Sequence, residues 1–286
     1  MQNAQPGEPN ADQIAYWNGP AAAPWVAHQA RIDALHQEAT RLLLDRAAPQ
    51  PGEHVLDIGC GTGTTLLELA ARVGPEGQVL GLDVSEPMLA LARERIAAAG
   101  LSQVRVELAD ASAYGFAPGS FDLAFSRFGV MFFRDPVTAF AHIRRALKPE
   151  GRLAFVCFRS LAENAWVRVP QEAAQPLLPP AEPPKPGEPG EFAFADPGRV
   201  RGILEGAGFR DVSLTPHDPP MHLTGPGGAE EAATFSTLMG PVARILRERP
   251  DLTDPVRKAM AEAYRKHDGP QGIVLPAAIW IVAARP

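Results

Sequence analysis

Cysteine is nearly absent from this chain. Cys60 and Cys157 are the only two in 286 residues, too few for a disulfide framework or a four-ligand zinc site, as suits a reducing, cytoplasmic setting. Long apolar runs are missing too. None approaches the ~18 residues a membrane-spanning helix needs, and the amino terminus (MQNAQPGEPNADQ) has no apolar core of a signal peptide. No dense basic run occurs, and the net charge is −6, which argues against a nucleic-acid partner because phosphate affinity rests on clustered Lys and Arg. No Cys/His cluster suggests a metal. There is no G-x-x-x-x-G-K-[ST], so a P-loop is excluded. Aromatics make up only 7%, which makes their crowding at Tyr16, Trp17 and Trp25 conspicuous.

What is present is organised around His54-Val55-Leu56-Asp57-Ile58-Gly59-Cys60-Gly61-Thr62-Gly63. Val55, Leu56 and Ile58 read as a short buried strand. Gly59, Gly61 and Gly63 permit a tight turn and let a ligand lie against bare backbone. A helix from Thr64 follows, its amino end aimed at the turn and receptive to polar or anionic groups. Asp57 is anomalous, since an unpaired buried carboxylate is costly. It must orient the turn or meet an amine on a ligand.

From this point strands and helices alternate. Strands are expected at 54–59, 78–84, 104–110, 121–128 and 152–158, later at 209–215 and in the second half of 273–284. Helices are expected at 64–73 and 86–99, the second with Pro87 in its first turn and Gly100 past its end. Another is expected from Asp135-Pro136 to about Leu147, and another from Asp196-Pro197 to Gly206. Near-continuous apolar strands in such an alternation predict an α/β fold, a doubly wound, mostly parallel sheet covered on both faces.

Residues 1–12 read as disordered. A helix at about 24–47 carries Val26, Ile32, Leu35, Leu42 and Leu43 on one side. It is either a lid over the cofactor or a core-packed helix with Trp17 and Trp25 as staples, and the two are compatible. Seven prolines in residues 176–190 preclude sheet or long helix there, leaving a linker or a strap over a substrate mouth. Helices at 229–248 and 254–266 read as a packed pair or a cap. The domain expectation is therefore an amino-terminal lid over 1–50 and a main domain over 51–286, with cap segments near 160–195 and 222–272.

In open parallel sheets, ligands bind outside the carboxyl ends of the strands. Asp83, 24 residues after Gly59, can accept both hydroxyls of a ribose. Asp110 at the next strand end can accept an adenine amino group, and Met88 can pack on its face. The spacing G-x-G-x-G is not the dinucleotide G-x-G-x-x-G, and an aspartate beside the turn suits a cofactor amine better than a pyrophosphate. The cofactor-binding set is Tyr16, Trp17, Asp57, Gly59, Cys60, Gly61, Gly63, Asp83, Val84, Met88, Asp110, Ala111, Ser126 and Arg127. Cys60 is read as a small residue beside the cofactor and not as a nucleophile.

Val55 to Gly63, Gly81-Leu82-Asp83-Val84-Ser85, Asp110-Ala111, Phe121-Asp122-Leu123 and Leu147-Lys148-Pro149-Glu150-Gly151-Arg152-Leu153 together resemble the class I S-adenosylmethionine-dependent methyltransferases. The similarity is closest to the small-molecule branch of the ubiquinone/menaquinone methyltransferases, strong over 54–158 and weak over the late strands. It implies seven strands ordered 3-2-1-4-5-7-6 with the seventh antiparallel, and S-adenosyl-L-methionine as cofactor. It also implies that the glycine turn holds the methionine part, Asp83 the ribose and Asp110 the adenine. A small-molecule methyl acceptor, apolar or aromatic, is expected, with no membrane insertion and a monomer or homodimer. The alternative is a non-catalytic sensor or scaffold that binds the same cofactor or its product. No N-P-P-Y or D-P-P-Y follows the fourth strand, which argues against base methylation in nucleic acids.

A general base is needed only for a poorly acidic hydroxyl or carbon acid, or a protonated amine. His28 and His217 are the expected catalytic candidates; His142 reads as structural, and His222 is a weaker candidate. Arg127 and Arg159, at adjacent strand ends, can hold an anionic substrate group.

Overall fold

The computed structural model describes residues 10–180 and 187–286. Residues 1–9 of the expected disordered start, and 181–186 of the proline-rich segment, lie outside that range.

The main sheet is built from β1 (His54–Ile58), β2 (Gln78–Asp83), β3 (Val104–Leu108), β4 (Phe121–Arg127), β5 (Leu147–Phe158), β6 (Arg210–His217) and β7 (Ile279–Arg285). Its order is 3-2-1-4-5-7-6, and β7 alone runs antiparallel to its neighbours β5 and β6. The register places Asp57 beside Gly81 and Phe125, so the central strand carries its one carboxylate into the middle of the sheet. Val55, Leu56, Leu123 and Phe125 are fully buried beneath helices on both faces.

Local signals set the helix boundaries. Helix α5 (Thr64–Val73) lies between Gly63 and Gly74, both at positive φ. Helix α6 is Glu86–Ala98. Helix α7 (Pro136–Ala146) starts where Asp135 accepts the Thr138 N–H at 3.1 Å, and α9 (Pro197–Gly206) where Asp196 accepts that of Arg199 at 2.6 Å. In both, Pro occupies the first turn, where no N–H partner is lost.

Three expectations are corrected. Residues 11–12 are helical, because α1 is Ala11–Trp17. The helix expected over 24–47 is three segments, α2 (Ala22–Ala27), α3 (Gln29–Leu35) and α4 (Gln37–Ala47). Backbone hydrogen bonds continue through His36, from its N–H to Ile32 and from Thr40 back to its carbonyl, so the chain bends there without breaking. The helix expected over 229–248 divides into α10 (Ala229–Ser236) and α11 (Gly240–Glu248), because Gly240 takes φ 77°. Residues 273–284 divide at Pro276, as that proline leads one to expect. Gly272–Pro276 joins a small sheet with Pro220–His222 and Asp268–Gly269, and only the later half pairs in the main sheet. Helices α8 (Ala165–Ala174) and α12 (Thr253–Arg265) pack on one another above this sheet end.

Candidate active site

The turn after β1 is dictated by a close approach. A Cβ on Gly59 would stand 2.8 Å from the Gly129 Cα, and one on Gly129 would stand 2.5 Å from the Ile58 carbonyl oxygen. The Ser126 hydroxyl donates to that same carbonyl at 2.7 Å and accepts the Gly129 N–H at 3.1 Å. Ser126 thus welds the end of β4 to the end of β1 and is fully buried. Gly61 differs: a Cβ there would project toward open space beside the Met88 sulfur.

Asp83 receives the Gly61 N–H on Oδ2 and the Ser85 N–H on Oδ1, each at 2.8 Å. Burial pushes its carboxyl up, and these N–H groups draw it back. A carboxylate has about four lone-pair positions, so Asp83 keeps capacity to accept from a ligand. Asp57 lies under the turn, wholly buried, with Oδ2 accepting the Thr65 hydroxyl and Oδ1 without a partner. Burial raises its carboxyl to about 7, against the pull of Thr65 and Arg127. It therefore orients α5, and its free oxygen is an orphaned buried acceptor beneath the cradle.

The amino-terminal segment closes over this region. Asn10 donates to Asp110 Oδ2 at 2.8 Å and accepts the Arg134 N–H at 2.7 Å. Asn18 donates to the Val84 carbonyl at 2.7 Å, and the Trp17 carbonyl accepts from Ser85 Oγ at 2.7 Å. These contacts ring a cavity with an empty volume of about 1940 Å³, its open mouth included.

One side of the cavity carries Gly59, Cys60, Gly61, Asp83, Val84, Met88, Asp110 and Ala111, with Trp17 and Arg127 at its edge. Asp57, Gly63 and Ser126 support the turn from behind and do not line it, and Tyr16 packs its ring on Trp17 and beneath the Arg244 guanidinium. Burial pushes the Cys60 thiol well up, which keeps it un-ionised and a poor nucleophile. The other side is apolar, with Trp25, Phe158, Trp166, Phe235, Met239 and Met260 prominent. Between the two stands Phe128, at φ 61°, its ring stacked on Phe158 at 4.2 Å. The left-handed conformation costs a non-glycine residue ~1–2 kcal/mol, and the stack and the Phe128 N–H bond to Val156 offset it.

The expected polar candidates distribute unevenly. His28 packs edge-on against Phe235 from outside, in a shallow surface depression with Glu230 and Glu231. His217 ends β6, and His222 is exposed on the small sheet. His142 meets the Tyr114 carbonyl. None of the four lines the cavity. Arg159 is engaged by Glu163 and by Asp218, the latter at 2.8 Å, and also lies outside. Arg127 does reach the cavity, donating to Thr40 at 3.0 Å with Asp33 at 3.8 Å.

Polar residues on the cavity wall that were not anticipated include His36, Gln171 and Glu191. Gln171 Oε1 is buried without a partner, and burial raises the Glu191 carboxyl. His36 was legible in principle, because it stands four residues from both Ile32 and Thr40, on the apolar stripe of the helix. Nothing local marks the other two.

A parallel sheet of this order, with a glycine cradle and ribose-ready carboxylate at its switch point, defines a nucleoside-cofactor enzyme fold. The comparisons make the class specific. A family described as a methyltransferase domain matches residues 55–151. Nocamycin O-methyltransferase of Saccharothrix syringae is 34% identical over 236 residues, covering 80% of this chain and 81% of that protein. A demethylmenaquinone methyltransferase of Listeria monocytogenes is 38% identical over 107 residues, covering 37% of this chain and 45% of that protein. The solved YcgJ protein of Bacillus subtilis superposes with a TM-score of 0.59 at 17% identity, covering 87% of this chain and 98% of that one, a likeness of fold. The chain belongs to the class I S-adenosylmethionine-dependent methyltransferases, and S-adenosylmethionine is its cofactor. The open Gly61 face and the remaining Asp83 lone pairs fit that group, which carries a cationic sulfur and two ribose hydroxyls.

Proposed function

We propose that the protein transfers a methyl group to a small, apolar or aromatic acceptor held against the Phe158–Trp166 side of the cavity. The observation that carries this reading is the continuous apolar wall facing the cofactor cradle across Phe128. The O-methyltransferase relative that matches most of the chain supports a small-molecule acceptor.

The bound cofactor supplies an electrophilic methyl group. The residues of the chain do the holding. The Gly61 backbone receives the amino-acid part on the turn that Asp57 orients from behind, Asp83 accepts from the ribose hydroxyls, and Asp110 and Met88 meet the adenine. The segment 10–18 is a lid whose Asn10 and Asn18 bonds exclude water once the site is filled. The aromatic wall turns the acceptor so that its reactive atom faces the cradle, and such positioning supplies ~7–11 kcal/mol of rate enhancement. The protein with methyl-labelled cofactor and a metabolite extract tests the proposal: label should appear in an organic-extractable small molecule. Cofactor binding with no labelled product would instead support the sensor or scaffold.

A further inference from the structure

His36 is the one histidine among the described residues on the cavity wall. It stands where α3 passes into α4, buried to 8% exposure. Its Nδ1 lies 2.9 Å from the Ile32 carbonyl oxygen. A carbonyl only accepts, so Nδ1 carries the hydrogen, and in the neutral ring Nε2 is left as a bare lone pair. The ring packs on Phe128 at 5.3 Å, and Phe128 precedes the Gly129 that abuts Gly59. The imidazole therefore sits on the border between cofactor cradle and apolar wall.

We infer that His36 is the general base of the transfer, its Nε2 receiving the proton of an acceptor hydroxyl, and that the acceptors are accordingly hydroxylated apolar or aromatic compounds. This deepens the reading above and rests on it.

The electrostatics keep the ring neutral while weakening it as a base, so it takes the proton only as the new bond to carbon makes the acceptor oxygen strongly acidic. Burial, and then the Arg127 guanidinium, lower the imidazole to about 4, while the Ile32 carbonyl and Asp33 pull the other way. The charged groups around it are Arg127 from β4 and Asp33 from α3, and Asp33 is itself held by Arg95 of α6 at 3.1 Å. Among the described residues no carboxylate hydrogen-bonds the ring, so at neutral pH the base stands unprotonated. As the acceptor oxygen forms its bond to the methyl carbon, its O–H bond breaks and the proton passes to Nε2. The electron pair of the cleaved carbon–sulfur bond stays on sulfur, and the imidazolium returns its proton to water. The positive charge leaves the sulfur as it arrives on the ring, so the site's net charge is constant through the step. An aryl thiol, far more acidic than the matching naphthol and largely ionised near neutral pH, has little use for the base.

The test uses 2-naphthol and naphthalene-2-thiol, matched in shape and different in the acceptor atom. The native protein should release S-adenosylhomocysteine with both. His36→Gln should lower kcat on the naphthol by about 10²-fold or more, leave the thiol rate little changed, and bind S-adenosylhomocysteine as tightly as the native protein in calorimetry. Equal losses on the two probes, or no loss on the naphthol, would overturn the inference and leave the acceptor class standing. Turnover of neither by the native protein would overturn the apolar-acceptor reading and this inference with it. Nitrogen-15 NMR of the native protein with S-adenosylhomocysteine bound gives a readout free of turnover: His36 Nε2 should be unprotonated at neutral pH, and a protonated Nε2 would refute the base.

Discussion

The Asn10 side-chain amide donates to Asp110 Oδ2 at 2.8 Å, joining the first turn of α1 to the carboxyl end of β3 across the mouth of the cofactor site. Asn10 also accepts from the Arg134 backbone after β4, so one side chain spans two loops. Removing it should loosen the lid more than the cradle. In Asn10→Ala, S-adenosylhomocysteine should dissociate faster, with an affinity loss of ~1–3 kcal/mol, the cost of a hydrogen bond to a charged group. Stopped-flow displacement measures this, and an unaltered dissociation rate would show that Asn10 has no part in closure.

Asp83 holds the turn through Gly61 and keeps lone pairs for ribose. Asp83→Ala should weaken S-adenosylhomocysteine binding by ~1–3 kcal/mol through unpaired buried hydroxyls. Calorimetry at one pH decides it: native-like affinity would mean that Asp83 does not hold the ribose.

Asp57 gives the stability a pH slope. Its folded-state carboxyl is raised from 3.8 to about 7, so between these values the folded protein binds more protons than the unfolded chain. Stability contributed by this group is then present in acid and falls as pH rises through that window. His36, lowered from 6.5 to about 4, slopes the other way: its contribution is present above its unfolded value and lost as pH falls. Urea unfolding of Asp57→Asn across this range should show a smaller loss of stability with rising pH than the native protein. Parallel profiles would mean that Asp57 is ionised throughout.

The Gly59–Gly129 contact leaves no room for a methyl group. Gly129 has an ordinary φ of −87°, so Gly129→Ala acts through sterics alone. It should destabilise by ~1–3 kcal/mol, as overpacking does, and weaken cofactor binding with it. A native-like melting temperature and affinity would show that the two strand ends can part without consequence.

The sheet was legible because its signals are local. The apolar run of β1, the glycines behind it, and the Pro and Gly bounding α6 each act within a few residues, and the family resemblance implied the strand order. The cradle was legible for the same reason: Asp57, Asp83 and Asp110 are polar where the pattern demands apolar or loop residues. The opposite wall was not. Met239, Phe235 and Met260 carry the same character as core residues, and only the packing of α8 and α10–α12 decides that they face a void. The bend at His36 leaves no mark either, because no Pro or Gly accompanies it, and the sequence points instead to His28 and His217, which the fold carries elsewhere.

One cavity should hold cofactor and acceptor side by side, with His36 between them. A crystal structure with S-adenosylhomocysteine and 2-naphthol tests it most directly. The ribose hydroxyls should lie on Asp83, and the naphthyl ring against Phe158 and Trp166 with its hydroxyl toward His36 Nε2. A ribose remote from Asp83, or a naphthyl ring bound outside this cavity, would contradict the account.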